Sequence, residues 1–585
     1  MTDDNPRPDD FSRRRALALA ASLAALPVAG TASCTMTGPD DPRSEDEPNA
    51  WPDDPEGDVL APAIIAAAEQ LAGIRFDESE RRTIAATISE QIAIFARRVD
   101  AGAMPDDVAP ATVFRALPAG TPLNPATSTG DPEVVVRTVG PCPTDDVDIA
   151  FASVGELGAW IRRGNLTSER LTRLYLQRIE RIDPALRCMI TVTGDRAIEQ
   201  AKAADRALAD GDDRGPLHGI PYGAKDIIDV AGIRATWGAT PFKDRIADRT
   251  ARVIEDLDRR HAVMLGKTSV GALAYGDIWF DGRCRNPWNP EQGSSGSSAG
   301  SASGTAAGLM AFSLGTETYG SIVSPCVRCA ATGLRPTFGR VSRRGVMSLC
   351  WSLDKIGPIT RTVEDTALVL AALNGLDAHD PSSVGVPFAC DASAPVEGLR
   401  IGWNPAWYEQ AGKADLAVLE HLRGSGCELV EVDVPALPYS SLLVGLYAES
   451  AAAFESLTRE DRDDEMVWQA DQAWPNTFRR SWFIPAVEAV QSDRVRRQAM
   501  DAMASVMDRV DALATPPFAG ELLLITNATG HPTLVMPTTI DGRTPAGAFT
   551  FIGRLFDEGT LIRLGRCLES LQGSGPLRPP IGVDA

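Results

Sequence analysis

Serine and glycine crowd one stretch of this 585-residue chain, from Gly293 to Arg335: GSSGSSAGSASGTAAGLMAFSLGTETYGSIVSPCVRCAATGLR. A flexible linker has no reason to carry Leu309, Met310, Phe312, Leu314, Ile322 and Val323 straight out of such a run. A buried, tightly turning segment does. Small residues let backbone approach backbone or a reacting group, so this is the first place to look for a nucleophile. A serine hydroxyl attacks only when a base takes its proton. One candidate base stands upstream. Lys225 lies in HGIPYGAKDIID (218–229), with apolar residues on both sides. Most lysines are on solvated surfaces. Desolvation disfavours the charged form, which turns a buried lysine into a base near neutral pH. The plainer reading of this segment alone is a lysine that ends a strand and points at solvent.

Three serine arrangements compete. Gly296-Ser-Ser298-Ala-Gly300 matches G-x-S-x-G, the nucleophile elbow of α/β-hydrolases. That elbow needs a preceding strand, whereas Asn286–Gly293 reads as a loop with two prolines, and it needs a downstream Asp and His. Ser352-Leu-Asp-Lys355 matches the S-x-x-K of serine β-lactamases, a short pattern common by chance. The third arrangement joins Ser297 and Ser321 to Lys225 in a triad without histidine.

The elements that must position these groups alternate. Thr167 reads as the N-cap of a helix with Leu171, Leu174, Ile179 and Ile182 on its apolar face, ended by Asp183-Pro184. Met189–Val192 reads as a strand, Arg196–Ala209 as a helix, Gly219–Asp229 as containing a strand, Ala251–Arg260 as a helix and Ala262–Leu265 as a strand. This alternation predicts an α/β or mixed α-β layered domain. Upstream, residues 59–115 read as a small helical unit, with Ile64, Ala68, Leu71, Ile84, Ile88 and Ile92 at helical spacing. Residues 116–148 read as a Pro/Thr-rich connector.

Lys and Arg number 57 against 79 Asp and Glu, a net charge of −22. That argues against nucleic acid and anionic membrane surfaces as partners. Residues 35–58 form an acidic, proline-rich tract with little to bury, expected to be a disordered tether. Residues 1–34 resemble a twin-arginine export signal: Arg13, Arg14 and Arg15 precede the apolar run Ala16–Gly30, which is shorter than the ~20 residues of a spanning helix. Thr31-Ala32-Ser33-Cys34 is a loose lipoprotein box, making Cys34 a candidate lipid anchor. The expected location is the periplasm or cell envelope of a bacterium. Ten cysteines in this length make no disulfide scaffold, and Cys326-x-x-Cys329 lacks the neighbours a metal site needs. The histidines His218, His261, His379, His421 and His531 are scattered without a ligand pattern.

From about residue 155 to 570 the chain resembles the amidase signature family of serine hydrolases. The residues that carry the resemblance are GIPYGAKD (219–226), LGKTS (265–269), NPWNP (286–290), GSSAGSASGTAAG (296–308), LGTETYGSI (314–322), GLRPTFGRVSRRGV (333–346), SLDKIGPITRTVED (352–365) and TNATGHP (526–532). The resemblance implies a large mixed β-sheet surrounded by helices, here over residues 149–575. It implies Lys225 as catalytic lysine, Ser321 as nucleophile, and a bridging serine at the family's fixed spacing. Ser297 lies 24 positions before Ser321 (321 − 297) and fits, whereas Ser294 would require an insertion. It further implies a cis peptide at Gly296–Ser297 and an oxyanion hole of backbone N–H groups from Thr318, Tyr319, Gly320 and Ser321. The implied reaction is hydrolysis of a small-molecule amide with no metal or organic cofactor, with a homodimer as one candidate assembly. Two other readings are a catalytically silent envelope binding protein and a glutamine-hydrolysing amidotransferase subunit. The chain departs from its relatives at Tyr319, where they usually carry Gly, and at Val323, where many carry Arg. Tyr319 is expected to intrude on the cleft, and to be strained if its position needs positive φ. Loss of the cation at 323 weakens the case for an anionic acyl group, with Arg328 the nearest replacement. Under the same resemblance, Ser298, Ser352, Lys355, Cys329 and His531 become structural. Tyr447, Trp468, Trp474 and Trp482, in segment 440–485, become candidate cleft walls.

Overall fold

The computed structural model describes residues 60–100, 102, 108, 110–117, 134, 139–539, 542–573 and 576–583. The expected export signal, Cys34, the acidic tether and most of the connector lie outside the described residues. The chain divides into two compact units, one of residues 1–105 with 480–488 and the other of residues 106–479 with 489–585. In the first, the helices Pro62–Ala72 and Glu78–Asp100 follow one another. Gly73 closes the earlier helix in the left-handed region (φ 64°), and Arg81 holds the Glu69 carboxylate at 2.7 and 2.8 Å. No helix among the described residues is long and apolar enough to cross a membrane.

The second unit is built on one mixed sheet of 11 strands. In chain order these are β1 (Met189–Val192), β2 (Pro221–Lys225), β3 (Val263–Thr268), β4 (Phe312–Glu317), β5 (Thr332–Arg335), β6 (Lys355–Thr360), β7 (Arg400–Trp403), β8 (Glu428–Glu431), β9 (Ala512–Thr515), β10 (Thr533–Thr539) and β11 (Pro545–Gly553). Their order across the sheet is β1-β3-β2-β4-β6-β5-β10-β11-β9-β7-β8. The strands β3, β2 and β4 run parallel to one another, and β6 returns antiparallel beside β4. Every residue of β2, β3, β4, β5 and β6 is buried, as expected of strands covered on both faces. This is the α/β layered sheet with surrounding helices that the alternation and the motifs implied.

Local sequence accounts for the elements that hold the centre. Thr167 caps the helix Ser168–Leu186 by accepting from the Arg170 N–H at 3.1 Å. Leu171, Leu174, Ile179 and Ile182 are its buried face. Pro184 does not end it. The helix runs on to Leu186, because a proline in the last turn removes only one backbone donor there. Arg187, at φ 52°, ends it instead, and the Asp183 carboxylate accepts from the Cys188 and Met189 N–H groups to steer the chain into β1. The proline-rich stretch read as a loop forms a two-stranded ribbon, Arg285–Asn286 with Asn289–Gly293, isolated from the main sheet.

Candidate active site

The serine-rich run becomes the helix Ala299–Ala306, laid against β4. Its small residues are a packing requirement. A Cβ on Gly300 would sit 2.1 Å from the Cys188 carbonyl oxygen, and one on Gly296 would sit 1.9 Å from that of Gly276. Most of its hydroxyls are spent within the fold. Ser301 pairs with Thr268 at 2.7 Å and donates to the Leu314 carbonyl, Ser303 donates to the Arg285 carbonyl, and Thr305 pairs with Ser313.

Two hydroxyls at the head of the run, and one on β4, converge on Lys225. This lysine does end a strand, β2, but it is 0% exposed. Three hydroxyl oxygens lie within hydrogen-bond distance of its Nζ: Ser297 Oγ at 2.8 Å, Thr316 Oγ1 at 2.8 Å and Ser298 Oγ at 3.1 Å. Burial pushes its pKa well below the usual lysine value, against the weaker opposing pull of the Asp354 and Glu317 carboxylates. A neutral amine has two N–H donors and one lone pair. Ser298 is poorly suited to meet the lone pair, because its hydroxyl donates to the Thr316 carbonyl at 3.0 Å and its oxygen also accepts the Thr316 N–H at 3.1 Å. Ser297, which follows a cis Gly296–Ser297 peptide, is fully buried with its hydroxyl against the amine and, among the described residues, no second partner for it.

Ser321 stands across the turn from these groups. Its carbonyl accepts the Ser298 N–H at 3.1 Å, which ties the two segments together. It is 8% exposed, while Lys225, Ser297 and Ser298 are at 0%. Thr316 keeps 6%, so Ser321 is the most exposed residue of the group.

The turn Thr318–Ser321 is held at both ends by buried carboxylates. Glu317 accepts the Ile322 and Val323 N–H groups at 2.9 and 3.0 Å, at the head of the short helix Val323–Cys329. Its other oxygen takes Arg335 at 2.6 Å and Asn527 at 2.9 Å. Burial pushes this carboxyl upward. The Arg335 guanidinium outweighs that by charge and hydrogen bond, and with the Val323 N–H it holds the pKa at about 2. Asp354 accepts the Thr318 hydroxyl at 2.6 Å and the Leu349 and Cys350 N–H groups. Between these anchors, no protein acceptor among the described residues takes the N–H groups of Tyr319, Gly320 or Ser321. Gly320 takes the positive φ, 88°, and Tyr319 does not, so the tyrosine carries no backbone strain.

The lookalike motifs come apart. Ser352 gives its hydroxyl to Glu449, and Lys355 is buried on β6 with its Nζ 3.5 Å from the Asn527 carbonyl. His531 is buried against the Thr529 hydroxyl, and desolvation, aided by Arg335, lowers it to about 3. Cys329 is a buried thiol whose Sγ lies 3.6 Å from the Ser294 carbonyl oxygen. Val323 packs into an apolar cluster with Ile322, Cys326 and Ile359, and Arg328 reaches toward Gln292 at 3.4 Å. Of the aromatic candidates, Tyr447 packs on the same cluster as Tyr319, and Trp468 and Trp474 lie 5.1 and 5.2 Å from Tyr275 between ring centres. Trp482 belongs to the other unit. Sequence reasoning gave no role to Thr316, Glu317 or Asp354. A signal existed for Glu317: an acid at the end of a buried strand, six positions before a helix, needs a buried partner to be there at all.

A family model described as amidase matches residues 170–546. The chain belongs to the amidase signature family. It is 34% identical over 464 residues to a glutamyl-tRNA(Gln) amidotransferase subunit of Halorhodospira halophila (strain DSM 244 / SL1), covering 71% of this chain and 96% of the relative. The native peptide amidase of Stenotrophomonas maltophilia superposes with a TM-score of 0.65 at 28% identity, over 74% of this chain and 99% of that one. An amidase family protein of Bacillus anthracis str. Ames gives 0.66 at 26% identity, over 75% and 95%.

Proposed function

We propose that this amidase signature protein hydrolyses a carboxylic amide to an acid and an amine or ammonia, through an acyl-enzyme on Ser321. The observation that carries the reading is the fully buried Lys225 amine, ringed by Ser297, Ser298 and Thr316. Ser298 and Thr316 accept its two N–H groups and hold its lone pair on the Ser297 hydroxyl. Lys225 takes the Ser297 proton as Ser297 takes the Ser321 proton, and Ser321 Oγ adds to the amide carbon. The free N–H groups of Tyr319, Gly320 and Ser321 receive the developing oxyanion. The proton returns through Ser297 to the leaving nitrogen as the C–N bond breaks. Water then cleaves the ester by the reverse relay. Release of ammonia or amine from a panel of amides, lost in Ser321→Ala, tests the reading; activity that persists there but disappears in Ser298→Ala would refute it.

A second reading, the glutamine-hydrolysing subunit of an amidotransferase, uses the same relay. The names of the curated relatives favour it over a free-standing hydrolase. The likeness to a peptide amidase supports the free-standing one. Glutamine as the one amide that releases ammonia, with transfer only when partner subunits are added, would decide for the amidotransferase. Export by a twin-arginine-type signal belongs to the free-standing reading. Replacing Arg13 and Arg14 with lysine should then retain the protein in the cytoplasm, and unchanged fractionation would contradict it.

A further inference from the structure

The surroundings of Ser321 restrict what its acyl group can be. On one side Tyr319, two positions before the nucleophile, is half-buried and packs with Tyr447 on the cluster of Leu353, Leu442 and Leu446. Burial lifts its phenol to about 12, with Tyr447 and the Glu521 carboxylate adding to the push. A Cβ on Gly320 would come within 3.2 Å of Leu523 Cδ2, so the leucine side chain lies against the turn. On the other side the Gly276 carbonyl abuts Gly296, beside the bridging serine. The preceding residue, Tyr275, is half-buried, and its ring lies 5.1 Å from that of Trp468 at an angle of 33°. Asp277, next along, accepts the Ser295 N–H at 3.1 Å.

Two carboxylates stand near these walls, Glu521 beside Tyr319 and Asp277, which is paired with Arg283 at 3.3 Å. The cations that come near are engaged elsewhere: Arg335 on Glu317, Arg283 on Asp277, Arg343 on the Trp351 carbonyl and the Ser382 hydroxyl, and Arg328 toward Gln292. Position 323 carries a buried valine. A carboxylate-bearing acyl group would lose its hydration against Tyr319 and Leu523 with no counter-cation to replace it. The net charge of −22 adds repulsion at longer range.

We infer that the substrate is an uncharged amide with an apolar or aromatic acyl group, selected by Tyr319 and Leu523 at the turn, and that acyl groups bearing a carboxylate are rejected. This rests on the hydrolase reading and goes further by naming its substrate class.

The test compares kcat/KM of the full chain for phenylacetamide and hexanamide with that for succinamate and glutamine, alongside fluorophosphonate labelling of Ser321. The apolar amides should exceed the charged ones by at least about tenfold, the scale of discrimination a pocket of this kind supplies. Leu523→Ala should shrink that ratio by lowering the rate for phenylacetamide more than that for succinamate, with labelling retained. Labelling of Ser321 together with equal or faster turnover of succinamate or glutamine would overturn the inference and leave the hydrolase reading standing. Absence of both labelling and hydrolysis would overturn the hydrolase reading and this inference with it.

Discussion

Two lysines are buried on either side of β4, Lys225 at the end of β2 and Lys355 at the start of β6, at 0% and 2% exposure. Burial drives both well below the ordinary lysine pKa. Their partners differ. Lys225 meets three hydroxyls within 3.1 Å. Lys355 meets one carbonyl at 3.5 Å and has Arg335 as a like-charged neighbour. A carbonyl has no proton to give. Burial favours the neutral form in both places, and the facing group decides which amine can serve as a base. The difference also shows why S-x-x-K at 352–355 is an accident of spacing: Ser352 turns to Glu449, away from its lysine.

Breaking each lysine separately gives the largest contrast. Lys225→Met should lower kcat/KM by about a thousandfold or more, the upper range for loss of a positioned general base. Lys355→Met should stay within about tenfold of the parent protein, because it removes no proton acceptor for a reacting hydroxyl. Steady-state kinetics on one good amide decides this, and comparable losses in both would erase the distinction.

Glu317→Gln should be nearly as damaging, but to the fold. It leaves Arg335 buried beside an uncharged partner, a change of about 3–5 kcal/mol in comparable sites. Thermal denaturation should show it as a lowered Tm. The sign with pH follows from the depressed carboxyl. The stabilisation by Glu317 is complete above the unfolded value near 4.5 and is lost as pH falls toward about 2. An unchanged acid limb in the variant would contradict this.

The lysines work the other way on stability. Their folded pKa values lie below the usual 10.5, so the unfolded chain binds more protons in the interval between. Stability of the parent protein should rise with pH across that interval, and Lys355→Met should raise Tm at neutral pH. The same depression predicts that kcat/KM falls as pH drops through the Lys225 pKa, on a limb that Lys355→Met leaves in place. A limb that moved with Lys355→Met would assign the titration to the wrong amine. A loss far smaller than that of Lys225→Met is expected at Ser298→Ala, which removes one of two N–H acceptors but not the relay: about tenfold in kcat/KM, on the scale of one hydrogen bond.

Much of this arrangement was legible in the chain. The alternating pattern pointed to the layered sheet, and the resemblance to the family, through the spacing it keeps, singled out Ser297 and Ser321 from a crowd of serines. Lys225 was ambiguous, because its local sequence fits equally well a strand end facing water; only the neighbours brought by β4 and the serine-rich helix bury it. Thr316, Glu317 and Asp354 stayed hidden for a related reason. Their partners, Lys225, Arg335 and Thr318, lie across strand pairings or distant turns that no local pattern encodes. Pro184 misled because proline is read as a helix breaker, yet in a final turn it interrupts little. The strain anticipated at Tyr319 is absent because Gly320 takes the left-handed conformation.

The central claim is that a neutral Lys225, acting through Ser297, activates Ser321. Peptide mapping after fluorophosphonate treatment, with the labelling rate followed in the parent protein, Lys225→Met and Lys355→Met, tests it most directly. The expected result is one adduct, on Ser321, formed at similar rates in the parent protein and Lys355→Met and at least about a hundredfold more slowly in Lys225→Met. An adduct on Ser298 or Ser352, or a Ser321 rate untouched by Lys225→Met, would contradict it.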